Sequence, residues 1–109
     1  MKVVVTAKGR ELTSPVESQF EHARYFILHD DVSREFAVYD ALIGCPPIYD
    51  ALITGSIDRK SLHSFQTAEV VIYVGATGTV NDALEQLKSG HLSCAFDPGM
   101  ASEPAENTY

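Results

Sequence analysis

Tryptophan is absent from this chain, cysteine occurs only twice, and lysine and arginine total eight against fifteen acidic residues. Each shortage excludes something. Cys45 and Cys94 are far apart with no paired spacing, which rules out a disulfide framework and a four-cysteine metal site. Both are expected to be free thiols in a reducing cytoplasm, Cys94 exposed and Cys45 either idle or a ligand to a soft metal. A net charge of −7 has the wrong sign for nonspecific binding to nucleic acid or acidic membranes. It also cannot draw in an anionic ligand by bulk field, so local donors would have to hold one. No apolar run approaches the length of a membrane span, and the N-terminus enters a strand pattern with no signal-peptide features. Catalytic patterns are missing too. No Gly-Lys-Ser/Thr follows the glycine turn at Gly75 to Gly78, so it is no Walker motif, and no Ser-His-Asp or Cys-His set is visible. His29, His63 and His91 have no metal-binding partner spacing and read as surface or strand-end residues.

What is present is one domain's worth of chain. Its 109 residues, 45 % hydrophobic and 21 % charged, are those of an ordinary globule with a core of its own. The organising stretch is Val70-Val71-Ile72-Tyr73-Val74, then Gly75-Ala76-Thr77-Gly78-Thr79, then Val80 to Lys88. A continuous apolar run predicts a strand covered on both faces. Val80, Ala83, Leu84 and Leu87 fall on one face of the following helix. Thr79 is placed to cap it with Asp82 as the return partner, and Gly90 sits where its C-cap belongs. Such a junction is expected to leave several amides of residues 75–79 unpaired and aimed at one point, a ready anion site.

The remainder reads in order as a strand from Lys2 to Ala7, a polar loop, a strand at about Arg24 to His29, an Asp30-Asp31 turn, and a strand from Arg34 to Asp40 forming a hairpin with it. Tyr39-Asp40-Ala41-Leu42-Ile43 recurs as Tyr49-Asp50-Ala51-Leu52-Ile53, the second copy being a buried fourth strand. A short helix from Arg59 to Ala68 should turn Ile57, Leu62 and Phe65 inward. Residues 1–95 are therefore expected to form one α/β domain, with 96–109 a flexible acidic C-terminal tail.

Gly75-Ala76-Thr77-Gly78-Thr79-Val80 followed by Ala83-Leu84 resembles the dinitrogenase iron–molybdenum cofactor biosynthesis family, which includes orange-protein-like domains. Ser14, Val16, Phe20, His22, Ala23, Tyr25 and Phe26 are similar to the family's pattern in the first third, and Thr54-Gly55 to the end of its fourth strand. Glu21 and Asp58 stand where the family commonly has glycine. The resemblance implies a ribonuclease-H-like motif, a mixed five-stranded sheet with helices. It also implies noncatalytic binding or carriage of a molybdenum-containing metal–sulfur cluster or its precursor, with a cluster donor or acceptor protein as partner. Carried over, His22 is the metal ligand, and Arg24 with Gly75, Ala76, Thr77, Gly78 and Thr79 completes the cofactor-binding set. A two-metal nuclease is excluded, because the first strand carries no acid.

One departure is large. The family carries a Gly-Ala-Gly loop and a long helix between its third and fourth strands, where this chain has only Ala41 to Asp50, with Pro46 and Pro47 inside. In the family's strand order the crossover must span ~14 Å across the sheet and ~17 Å back along it. Ten residues reach ~33 Å only when extended, so no helix fits. The crossover is predicted to be extended, or else two chains exchange strands, and either leaves part of one sheet face for a homodimer to cover. A protein-interaction module that has lost the cluster site is the other reading, and hydrolysis of a phosphorylated small molecule at the glycine turn a third.

Overall fold

The computed structural model describes residues 1–44, 46, 48–65 and 69–97. Its elements are β1 (Lys2–Ala7), β2 (Tyr25–Asp30), β3 (Phe36–Asp40), β4 (Ala51–Ile53), α1 (Arg59–Ser64), β5 (Val71–Val74), α2 (Val80–Lys88) and β6 (Ser93–Phe96), with one 3₁₀ turn at Phe20–His22. They form a single sheet in the order β3-β2-β1-β4-β5-β6. β1, β4 and β5 run parallel, while β2, β3 and β6 add antiparallel partners on either side.

Alternation along β1 divides the core in two. Val3, Val5 and Ala7 join Ile27, Ala51 and Ile53 under Val80 and Ala83 of α2, with Leu84 and Leu87 packed against them. On the opposite face Val4, Phe26, Leu52, Val70 and Ile72 lie beneath Ile57, Leu62 and Phe65, the last closing α1. β4 is wholly buried because it is central and covered on both sides, which is why three residues suffice for it. α2 begins and ends as its sequence dictates. Thr79 Oγ1 accepts from the Asp82 amide at 3.1 Å while Asp82 Oδ2 accepts from the Thr79 amide at 3.0 Å. At the other end the Gly90 and His91 amides donate to the Leu87 and Gln86 carbonyls.

Three expectations are corrected. The sheet has six strands, not five, because Ser93–Phe96 adds to the free edge of β5. Nothing in Ser-Cys-Ala-Phe marks a strand; three of the four residues are exposed, so the edge imposes no hydrophobic pattern. α1 ends at Ser64, and the rest of the predicted helix, residues 66–68, lies outside the described residues. Most of the sheet face expected to lie open is covered: Ala41 and Tyr49, at the two ends of the crossover, pack on the face bearing Val4 and Phe26. Phe36 of β3, 43 % exposed, lies on the other face, because it pairs with His29 and His29 pairs with Val3.

The crossover itself follows the geometric argument. β3 and β4 lie on opposite sides of the β2-β1 pair, and no helix forms among the described residues between them. One chain completes the sheet. The crossover is pinned at one end by Ala41 N–H to the Arg24 carbonyl at 3.0 Å. At the other, Asp50 N–H donates to the Lys2 carbonyl at 2.8 Å and Lys2 N–H to Asp50 Oδ2 at 2.7 Å. Cys45 and Pro47 lie outside the described residues, as do residues 98–109 of the expected tail.

Candidate functional site

Three parallel strands that end at the same edge deliver three loops to one place, and in open α/β sheets that edge is where ligands bind. Here the loops are residues 8–24 after β1, Thr54 to Asp58 after β4, and Gly75 to Thr79 after β5. Backbone bonds stitch them together. Val16 N–H donates to the Gly78 carbonyl at 2.9 Å and Phe20 N–H to the Ser56 carbonyl at 2.9 Å. Ser56 Oγ donates to the Ser18 carbonyl at 2.9 Å. Beneath them sits a buried polar pair: Thr6 Oγ1 lies 2.9 Å from Thr54 Oγ1 and 3.1 Å from the Glu17 carbonyl. Both threonines are fully buried, so their hydroxyls are satisfied only while the first two loops stay docked.

The docking needs Gly55. A Cβ there would lie 2.5 Å from the Ser18 carbonyl oxygen and 2.7 Å from Ser18 Cα, so the first loop passes through the space a side chain would fill. That closeness is the physical content of the Thr54-Gly55 pair.

The glycine turn differs from its expectation. Of its amides, Gly75 donates to the Gly55 carbonyl (2.9 Å), Ala76 to the Thr54 carbonyl (3.3 Å), Thr77 to Gln86 Oε1 (3.2 Å) and Thr79 to Asp82 Oδ2 (3.0 Å). The first helical amides are engaged as well, Val80 with the Ser14 carbonyl at 3.0 Å and Asn81 with that of Leu12 at 2.9 Å. The cradle of free amides is therefore closed by protein carbonyls and by the Asp82 carboxylate, which sits where an anion would. Gly78, at φ 82°, carries an amide outside these bonds.

Cations supply what the amides do not. Lys8 follows β1 and Arg24 precedes β2, on adjoining strand ends, because Ala7 pairs with Tyr25. The Arg10 guanidinium carbon stands 5.3 Å over the Tyr25 ring. Arg59 and Lys60 begin α1 at the same edge, so five of the chain's eight lysines and arginines gather there. Among the described residues the one ion pair joins the Met1 ammonium to Asp31, 2.7 Å apart at the opposite edge, and none of these five cations has a carboxylate at ion-pair distance. Sequence reading singled out Arg24 alone. Lys8 and Arg10 were missed, since only the β1–β2 register brings them beside it.

His22 is exposed and ends the 3₁₀ turn, its amide donating to the Gln19 carbonyl at 3.0 Å. Among the described residues no three His, Cys, Asp or Glu side chains come together as a metal-binding group. Arg24, Tyr25, Ala23, Asp40, Ala41 and Leu42 line an open recess of about 270 Å³ next to it. Asp58 caps α1, and hydrogen bonds from Ser61 hold its carboxyl below the usual range against the opposing effect of burial. The other histidines play no part: His63 and His91 are exposed, and His29 lies in a separate recess at the far edge with Tyr73 and Lys88. Asp30 is a turn residue whose Oδ1 accepts from the Val32 amide at 2.9 Å. Cys94 is free and exposed on β6. No described helix is long and apolar enough to cross a membrane.

No family model and no curated protein matches the chain. Solved structures do. The chain is similar to a candidate NifB protein from Thermotoga, with 24 % identity and a TM-score of 0.73 over 85 % of this chain and 91 % of that one. It is similar to the apo form of the orange protein from Desulfovibrio gigas, with 20 % identity and a TM-score of 0.77 over 89 % and 94 %. A third is a candidate dinitrogenase from Methanocaldococcus jannaschii, with 19 % identity and a TM-score of 0.68 over 90 % and 97 %. The fold is shared across nearly the whole described chain.

Proposed function

We propose that this chain is a noncatalytic cytoplasmic carrier of a preassembled anionic metal–sulfur cluster, of the molybdenum- or iron-containing kind, held at the carboxyl edge of β1, β4 and β5. The observation that carries the reading is the gathering of five cations, none with a carboxylate at ion-pair distance among the described residues, at the edge whose first loop carries His22. A single imidazole is too few ligands for a bare metal ion, which needs about four. A cluster already saturated by its own sulfides needs little more than one ligand and compensating charge. His22 is that ligand, and Arg24, Lys8 and Arg10 compensate. The turn from Gly75 to Thr79 forms the wall, and the Gly78 amide faces the cargo. The names of the similar structures, an orange protein, a NifB protein and a dinitrogenase, support this reading, and we take the β3-β2-β1-β4-β5 order as a ribonuclease-H-like motif. A donor or acceptor protein would supply or receive the cluster at the same edge.

Anaerobic incubation with tetrathiomolybdate plus iron or copper, followed by gel filtration, tests it. Stoichiometric colour and metal that stay with the protein are the expected result. A colourless, metal-free protein overturns it in favour of the interaction-module reading, which the outward apolar residues of the crossover favour.

A further inference from the structure

α2 is too narrow to roof its whole face of the sheet. A helix is about 10 Å across with its side chains, whereas six strands span roughly 24 Å. α2 packs over β1, β4 and β5. At the carboxyl edge the loop after β1 covers the neighbouring strands, Leu12 joining the core and Arg10 standing over Tyr25. At the opposite edge the same face carries His29 beside Val3 and the exposed Phe36 beside His29. Between these residues and the last turns of α2 lies a cavity of about 280 Å³. Val3, which is buried, and Leu84, Leu87 and Tyr73, which are half-buried, give it an apolar lining, and the His29 ring adds a polar one. Met1, Asp31 and Lys88 stand at its mouth, all three exposed.

We infer that this cavity binds a small uncharged molecule, an apolar body the size of one aromatic ring with a short arm, whose single polar group accepts a hydrogen bond from the Tyr73 hydroxyl. Volume sets the size. An apolar space of about 150 Å³ admits benzene, so this one has room for a ring and a few atoms more. Lining sets the body, since three aliphatic side chains and the Tyr73 ring offer apolar contact and little else. Charge sets the head. Asp31 is already paired with the Met1 ammonium at 2.7 Å, Lys88 is exposed, and the Asp97 charge acts on the Tyr73 hydroxyl. Two formal positive charges and two negative ones thus border the cavity, and their field favours a ligand of neither sign. A charged head would lose its water without a matching gain. Burial first, then the charges of Cys94 and Asp97, push the Tyr73 phenol above its usual value, so the hydroxyl keeps its proton at neutral pH and serves as the donor. None of this rests on the cluster reading, whose site lies at the other end of the parallel strands.

Amide nitrogen–proton correlation spectra of the labelled full chain, recorded during titration with phenethyl alcohol, test the inference. Saturable shifts are expected at Val3, His29, Tyr73, Leu84 and Leu87, with a dissociation constant of about 1 mM or below, ordinary for a ligand of this size. Phenethylamine and phenylacetate have the same carbon skeleton and opposite charges, and each should bind at least ~5-fold more weakly. Tyr73→Phe keeps the ring and removes the donor, so its affinity for the alcohol should fall ~3–10-fold with the far-ultraviolet spectrum unchanged. Leu87→Trp fills the cavity and should abolish binding, and Leu84→Phe is the smaller filling if the tryptophan variant fails to fold. No saturable shift up to about 20 mM overturns the inference, as do shifts centred away from these residues. A charged probe that binds as tightly as the alcohol overturns it by assigning the cavity to that charge. Equal affinity in Tyr73→Phe, or parental affinity in a folded filled variant, overturns it as well.

Discussion

Gly55→Ala is expected to cost about 2–3 kcal/mol, a fall in Tm of roughly 10–20 °C for a domain of this size, and to abolish cluster uptake with it. The added methyl meets Ser18 backbone, not the yielding end of a side chain, so the loop from Lys8 to Arg24 has to move. Moving it breaks the Phe20 N–H bond to the Ser56 carbonyl and the Ser56 Oγ bond to the Ser18 carbonyl, and strains the Glu17 contact with Thr6. The turn bearing His22 and the strand end bearing Arg24 are then no longer held against the edge of the sheet. Thermal unfolding followed by circular dichroism reads the first effect, and the reconstitution assay the second. A variant with unchanged Tm and full uptake would mean that the loop's docking does not matter to either.

His22→Ala should separate the two effects. The side chain is exposed and makes no described contact that supports the fold, so Tm should stay within about 2 °C, as for surface substitutions generally. Cluster retention through gel filtration should fall at least ~10-fold, the loss of one metal–ligand bond. Together the two variants discriminate sharply. Gly55→Ala loses stability and uptake, whereas His22→Ala loses uptake alone. Equal retention by the His22 variant and the parent would remove His22 from the ligand role and leave the cations as the whole of the site.

The parts of the fold legible in the sequence were those where local chemistry and tertiary context agree. Val70 to Val74 reads as a two-faced strand because it is covered on both sides, and Thr79 with Asp82 reads as a capping box because the bonds are local. That no helix forms among the described residues of the crossover was legible for another reason. Ten residues cannot both form a helix and travel the required distance, so chain length and strand order together decided it. β6 was not legible, because an exposed edge strand imposes no pattern on Ser93, Cys94 and Ala95. The glycine turn was legible in its outline alone. The sequence shows that Gly75 to Gly78 turns sharply at a helix start. It does not show that the Gly55 and Thr54 carbonyls, from a loop some twenty residues away, arrive to take the Gly75 and Ala76 amides. Lys8, Arg10, Arg24, Arg59 and Lys60 are likewise scattered in sequence, and only the strand register gathers them. The gathering of these five cations, on loops and strand ends that also carry Glu11, Glu17, Glu21, Asp40, Asp58 and Asp82, is a tertiary fact about an acidic chain.

That edge is the centre of the proposal, and one measurement addresses it directly. Amide nitrogen–proton correlation spectra of the labelled protein, recorded anaerobically during titration with tetrathiomolybdate, locate the bound anion residue by residue. The expected result is a set of saturable shifts confined to Lys8, Arg10, His22, Arg24 and the turn from Gly75 to Thr79, with β3, β6 and the C-terminal half of α2 unmoved. Saturable shifts centred instead on Tyr73, Leu87 and Lys88 at the far edge, or no saturable shift anywhere, would contradict a carrier site at the carboxyl ends of the parallel strands.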